Sequence, residues 1–234
     1  MNFKNKFVCI IPARGGSKGL KNKNLLKINK KPLIFWPIDA AKKVKNIKKI
    51  ILTSDSKNIL NKAKNKKIEL SLRPKHLATD TSSTYNVIKE ILIKNNLRNY
   101  KNIICLEPTS PFTNSKEIKK AINLFLESDA NSLVSIAEAN QSNPNFLFYK
   151  KKSNLINPYL KNKKYKHLRR QDIKTTYYPE GSIYISKIND FFKNKGFFGK
   201  KTMGYVIPKF YNLEIDDKTD LNFARSIAKY NNLK

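Results

Sequence analysis

Between Phe7 and Leu25 the chain reads FVCIIPARGGSKGLKNKNL, passing from an apolar stretch into glycines, a serine and a row of cations. Gly15, Gly16 and Gly19 are three of the chain's 7 glycines. Missing side chains there would let backbone N–H groups approach an anion closely and turn toward it. Arg14, Lys18, Lys21 and Lys23 would supply the countercharge. The segment GGSKG has neither the Gly-Lys-Ser/Thr ending of a P-loop nor the third glycine of a dinucleotide fingerprint. It predicts an anionic ligand, but not a kinase or a dehydrogenase. Carboxylates are scarce, 17 in all, so LEIDDKTDL carries information. Glu214 and Asp216 are two apart and share one side of an extended segment, offering the oxygen donors a hard cation prefers. Asp216 or Asp217 also stands where the last helix needs a cap, and Asp217 can cap while the other two bind metal. Asp55, after ILTSD, has the same two readings, ligand edge or helix cap.

These residues need a frame. Apolar runs predict strands at Phe7 to Pro12, Lys49 to Thr53, Ile68 to Leu72, Asn102 to Leu106, Leu133 to Ile136, Ser182 to Ile185 and Met203 to Ile207. Amphipathic stretches around Ile38 to Val44, Lys57 to Lys64, Thr84 to Lys94, Ser115 to Leu126 and Thr219 to Tyr230 predict helices, several opened by a capping residue. Strand, loop and helix in alternation predict an α/β fold, a mainly parallel twisted sheet with helices on both faces. Such sheets bind ligands at the carboxyl ends of their strands, and the glycine segment is the first strand-to-helix loop.

The chain has 234 residues, enough for one sizeable core, and one domain is expected over 1–234. No apolar run is long enough to span a bilayer, and the N-terminus lacks a signal-peptide core, so a cytoplasmic protein is expected. Cys9 and Cys105 lie inside apolar runs and read as packing. His76 and His167 have no second ligand at metal spacing, which argues against structural zinc. The formal net charge of +31 invites a nucleic-acid reading, because a basic surface attracts phosphate backbones. The lysines are nevertheless spread along the chain among asparagines, and no nucleic-acid module is recognisable.

PARGGSKGLKNKN, LRPKHLATDTSST, LEPTSP, RRQD and YYPEGSIYI, in that order, resemble the motifs of the acylneuraminate cytidylyltransferase family over nearly the whole chain. The family makes CMP-activated sialic and related nonulosonic acids on a Rossmann-like nucleotidyltransferase fold. The resemblance implies that Arg14, Gly15, Gly16, Ser17, Lys18, Lys23 and Asn24 grip the triphosphate of CTP. Arg73 would contact the nucleotide and Ser82 and Ser83 its ribose or base, unless one of these serines merely caps a helix. Displacement at phosphorus rests on positioning and on neutralising the leaving oxygens, which assigns catalytic roles to Arg14, Lys18, Lys23 and Asp216. Magnesium, or manganese in its place, is implied at Glu214 and Asp216, where the family carries an IDID-like motif and this chain has Glu first.

The sugar side departs from the family. Where LQPTSPLR is common the chain has Glu107 in LEPTSPFT, and where RPNGAIYI is common Tyr178 and Glu180 replace arginine and asparagine. Added carboxylates would repel a carboxylate-bearing sugar unless they accept hydrogen bonds from it. Arg169 and Arg170 read either as two-point carboxylate clamps or as a basic surface pair. Residues 140–178 lack the core alternation and carry Phe146, Phe148, Tyr149, Tyr159 and Tyr165 among lysines. The family uses this region as a dimerisation arm, and a homodimer is expected. The substrates expected are CTP and a nonulosonic acid; the alternatives are a related nucleotidyltransferase for Kdo or a phosphosugar, and a nonenzymatic nucleic-acid-binding protein.

Overall fold

The computed structural model describes residues 6–17, 19–79, 81–97, 100–140, 142–160, 169, 171 and 173–233. In chain order the elements are β1 (Phe7–Pro12), β2 (Lys27–Ile28), β3 (Lys31–Pro32), α1 (Phe35–Lys42), β4 (Ile47–Ser54), α2 (Lys57–Ala63), β5 (Glu69–Leu72), α3 (Thr84–Lys94), β6 (Asn102–Leu106), α4 (Ser115–Leu126), β7 (Ser132–Glu138), β8 (Phe148–Lys150), β9 (Ile156–Pro158), β10 (Tyr177–Lys187), α5 (Ile188–Asn194), β11 (Thr202–Val206) and α6 (Lys218–Tyr230). A 7-stranded sheet runs in the order β11-β7-β10-β6-β1-β4-β5.

Strand β1 lies parallel to β4 and β6, β4 to β5, and β11 to β7, whereas β10 is antiparallel to both β6 and β7. The sheet is thus mainly parallel, as the alternation predicts. Period-2 alternation in β1 sends Phe7, Cys9 and Ile11 to one face, where α1, α2 and α4 contribute Ile38, Ile59, Ile118 and Ile122. Val8 and Ile10 point to the other face, against Ile88, Ile91 and Leu92 of α3 and Phe191 of α5. Both cysteines are fully buried, in opposite faces, in keeping with packing roles. A third cluster gathers Ile28, Leu33, Trp36, Phe112, Ile215, Leu221 and Ala224, and seats α6 and the segment before it beside the first loop.

Three features differ from the sequence expectation. Strand β10 extends well beyond Ser182 to Ile185, because its polar first half is held by pairing with β7, Tyr177 opposite Glu138 and Tyr178 opposite Ala137. The short α5 is not anticipated, since seven residues give too few turns for a readable period. The connection from β7 to β10 carries the β8–β9 hairpin, whose Tyr149, Leu155 and Ile156 are 58%, 64% and 52% exposed. Tyr165, within the same connection, lies outside the described residues.

Candidate active site

The loops after the parallel strands meet along one edge of the sheet, and β10 enters that edge from the opposite direction. Strand β1 delivers the glycine loop, anchored where the Ala13 N–H donates to the Thr53 carbonyl at 2.9 Å. The Gly15 N–H then donates to Asp55 Oδ1 at 2.8 Å. A Cβ at Gly15 would stand 2.8 Å from Ser56 Cβ, and one at Gly19 would stand 2.4 Å from the Asp216 carbonyl oxygen. These two glycines serve close approach of chain to chain. Gly16, with nothing near it, is the glycine that faces open space.

The expected triphosphate grip is divided between lining and bracing. Arg14, Lys23, Asn24, Arg73, Thr79, Ser82, Glu107 and Thr109 border a cleft of about 300 Å³. Asn24 is buried and spends its amide on the Arg14 carbonyl at 2.8 Å, so it holds the loop in shape. Lys23 Nζ donates to the Ile215 carbonyl at 3.0 Å and to Asp216 Oδ1 at 3.1 Å, tying the loop to the acidic segment. Ser17 sits half-buried in the loop, and Lys18 lies outside the described residues.

Arg73 is buried, with Nη2 donating to the Thr53 carbonyl at 3.2 Å and no protein partner at Nε among the described residues. Burial lowers its pKa, partly offset by the charges of Asp55 and Glu107. A buried guanidinium with an unsatisfied N–H at a cleft is a donor waiting for an acceptor. Ser82 donates to the His76 carbonyl at 3.1 Å and still lines the cleft. Ser83 is exposed and accepts the Asn86 N–H at 3.2 Å as the N-cap of α3, the capping role offered for it by the sequence, where unpaired helix N–H groups demand an acceptor. Asp55 is settled as well, since Ser56 caps α2 and leaves Asp55 to the glycine loop.

Beside the cations stands an acidic wall. Burial raises the Glu107 carboxyl to about 7, with Glu214 adding to the rise and the Cys105 thiol and Arg73 opposing it. Glu214 and Asp216 are both exposed on either side of the fully buried Ile215, so they share a side as their spacing predicts. Desolvation and then the charge of Asp216 raise the Glu214 carboxyl, while Lys23 and a hydrogen bond from Thr109 lower it. Asp217 is the N-cap of α6, in a capping box with Asp220.

On the sugar side, Glu180 is buried: Oε1 accepts the Ser182 N–H at 3.2 Å and the Ser182 hydroxyl, and Oε2 has no partner among the described residues. Gly181 has φ +93°, a conformation that favours glycine, and a Cβ there would come within 3.7 Å of the Glu214 carboxylate. Tyr178 is exposed, its hydroxyl accepting from Asn212 Nδ2 at 3.0 Å. Tyr178, Ala137, Glu138, Lys209 and Asn212 border a second cavity of about 670 Å³. From the strand order, the two cavities flank the β10 entry that carries Glu180 and Gly181. Arg169 is exposed and Arg170 lies outside the described residues. Thr109, Lys209 and Asn212 are absent from the sequence-based site, and Asp55 resolves to the first of its two readings. Thr109 had a signal in LEPTSP, whereas Lys209 had none among 48 Lys and Arg residues.

A charged edge of a mainly parallel sheet, where cationic and acidic side chains meet beyond the strand ends, defines an α/β protein of the kind that binds its ligand at that edge. A family model described as cytidylyltransferase matches residues 8–233. The chain belongs to the cytidylyltransferase family. It is 34% identical over 237 residues to an N-acylneuraminate cytidylyltransferase of Escherichia coli O18:K1:H7, covering 98% of this chain and 54% of that one. The chain thus spans about half the length of such relatives. It is 32% identical to a CMP-N,N'-diacetyllegionaminic acid synthase of Campylobacter jejuni, with 97% of both chains covered. The fold is that of a solved CMP:2-keto-3-deoxy-manno-octonic acid synthetase complexed with CTP, at TM-score 0.68 and 14% identity over 97% of this chain and 99% of that one.

Proposed function

We propose that the chain transfers the cytidylyl group of CTP to a sialic-acid-like nonulosonic acid. The anomeric hydroxyl oxygen bonds to the α-phosphorus, the bond from that phosphorus to its bridging oxygen breaks, and pyrophosphate leaves with the electron pair as the hydroxyl proton is released. The observation that carries this reading is one cleft lined by Arg14, Lys23, Arg73 and Glu107, to which Asp216 is joined through Lys23 and Glu214 through its charge on Glu107.

Arg14, Lys23 and the glycine loop hold and neutralise the triphosphate, and Arg73 offers its free N–H to the nucleotide. Ser17, half-buried in the same loop, joins that grip, and the GGSKG motif adds Lys18. The 670 Å³ cavity has room for a nine-carbon sugar, with Lys209 as countercharge to its carboxylate and Tyr178 and Asn212 as polar contacts. Glu180, through its unpartnered Oε2, accepts a hydrogen bond from a sugar hydroxyl or amide N–H.

Glu214 and Asp216 suit a hard divalent cation, because burial and the neighbouring Asp216 charge make the Glu214 carboxylate costly and a cation relieves that cost. Magnesium keeps several waters and takes one or two protein carboxylates together with substrate phosphates, so these two carboxylates are enough to hold it. When bound, magnesium or manganese would neutralise phosphate charge and lower the pKa of the attacking hydroxyl. The exposed hairpin of β8 and β9 supports a homodimer through this arm, and a need for CTP supports a cytoplasmic enzyme. No helix among the described residues is long and apolar enough to cross a membrane.

Pyrophosphate release, scored with CTP, UTP, GTP and ATP against a panel of ulosonic acids, tests the reading. Turnover is expected with CTP and a nonulosonic acid. Equal use of ATP, or release with no acid in the panel, overturns it. Asp216→Asn should fold normally, since Asp217 holds the α6 cap, yet lose most turnover and need more magnesium. Ordinary turnover and metal dependence in that variant would remove the metal from this place.

A further inference from the structure

A pocket of about 200 Å³ that shares no lining residue with either cavity lies between α1, the Pro111–Ser115 loop and the Phe210–Tyr211 turn. Its aromatic walls form a chain of contacts. Trp36 meets Phe112 edge-on with ring centroids 6.0 Å apart, Phe112 stacks on Phe210 at 6.1 Å and 21°, and Phe210 meets Tyr211 at 5.2 Å. Two of its lining residues, Trp36 at 8% exposure and Thr113 at 6%, have a buried polar atom without a partner among the described residues: the indole Nε1–H and the threonine hydroxyl. A buried donor left unpaired is costly, and two in one small cavity point to an occupant that pairs with them. Charge at the rim is positive. Lys31 Nζ lies 4.7 Å over the Trp36 ring and Lys43 is exposed, while the one lining carboxylate, Asp39, is already bound by Lys31 at 2.7 Å and Lys66 at 2.8 Å.

We infer that this pocket is a second small-molecule site, for a planar aromatic acid whose carboxylate accepts from Trp36 Nε1–H and the Thr113 hydroxyl. An apolar cavity of about 150 Å³ takes up benzene, so this one holds a single ring and a small polar group. A ring matches the aromatic walls by stacking or edge contact, and an anion satisfies the two donors under a cationic rim. The site has a path to the cleft: the Pro111–Ser115 wall continues the segment carrying Glu107 and Thr109, and Phe210–Tyr211 runs on toward Glu214. An occupant braces both segments at once.

Trp36 is the chain's one tryptophan, so its emission reports the pocket alone. Titration with benzoate and nicotinate should change that emission saturably at millimolar concentration, with cyclohexanecarboxylate and benzylamine binding several-fold more weakly. Thr113→Val should weaken benzoate about fivefold, the worth of one ordinary hydrogen bond, without altering the far-ultraviolet circular dichroism. Should that variant fold poorly, Phe210→Ala, at an exposed position, should weaken benzoate several-fold by removing a wall. Unsaturable quenching, equal binding of the non-aromatic acid, or undiminished binding in whichever variant folds would overturn the site.

Discussion

Asp55 shows how a single carboxylate shapes a loop 40 residues away from it. By taking the Gly15 N–H at 2.8 Å it fixes the start of the glycine loop, and its charge also supports the buried Arg73. Asp55→Ala should therefore leave the fold intact but lower kcat/KM for CTP about tenfold or more, the scale of a hydrogen bond to a charged group; an unchanged value would leave the loop self-supporting. Glu107 makes a separate prediction. Its carboxyl is raised from 4.5 to about 7, mainly by burial, so the folded chain binds this proton more tightly than the unfolded one. The group costs nothing below about pH 4.5, and its cost grows as pH rises and is complete above about 7. Glu107→Gln removes that titration, so its stability relative to wild type should rise by about 1–3 kcal/mol between pH 5 and pH 8. Urea midpoints at the two pH values measure this, and a pH-independent difference would contradict the raised pKa.

At the scale of elements, the site depends on how α6 begins. Asp217 accepts the Thr219 and Asp220 N–H groups at 2.7 and 3.0 Å, and Asp220 returns to the Asp217 N–H at 3.0 Å. Asp220 also accepts the Asp216 N–H at 2.9 Å, so the capping box positions the backbone of the acidic wall as well. Asp217→Ala should cost about 1 kcal/mol of global stability, with Asp217→Asn costing less. Chemical denaturation of both variants decides this, and equal losses would mean that charge rather than capping matters. Strand β10 contributes by its direction. Because it runs against its neighbours, its first residues reach the edge where the other strands end, and Tyr178 and Glu180 arrive beside the loops of β6 and β7.

For the whole molecule, the exposed apolar side chains of the β8–β9 hairpin form the clearest candidate for burial against a second copy. Light scattering should give a mass of about twice the chain's 27.1 kDa. Tyr149→Ser with Ile156→Ser should shift it toward the monomer, while a monomeric wild type would reject the dimer.

The sequence by itself determined the sheet class, the glycine loop and the acidic pair, because each rests on local order: unbroken apolar runs such as FVCII alternating with amphipathic stretches, glycines beside cations, carboxylates two apart. It also left Asp55, Asp217 and Ser83 with two roles each, since a capping residue and a ligand-edge residue have the same chemistry and the same place after a strand. Tertiary structure decided among them through distances. Asp55 lies across from Gly15, 40 residues away, Asn24 turns to Arg14, and Lys23 reaches Asp216 across 193 residues. Nor could the chain order alone show that β10 inserts between β6 and β7 in the reverse sense, because the same residues can pair in either direction and only the backbone bonds made to the neighbouring strands distinguish the two.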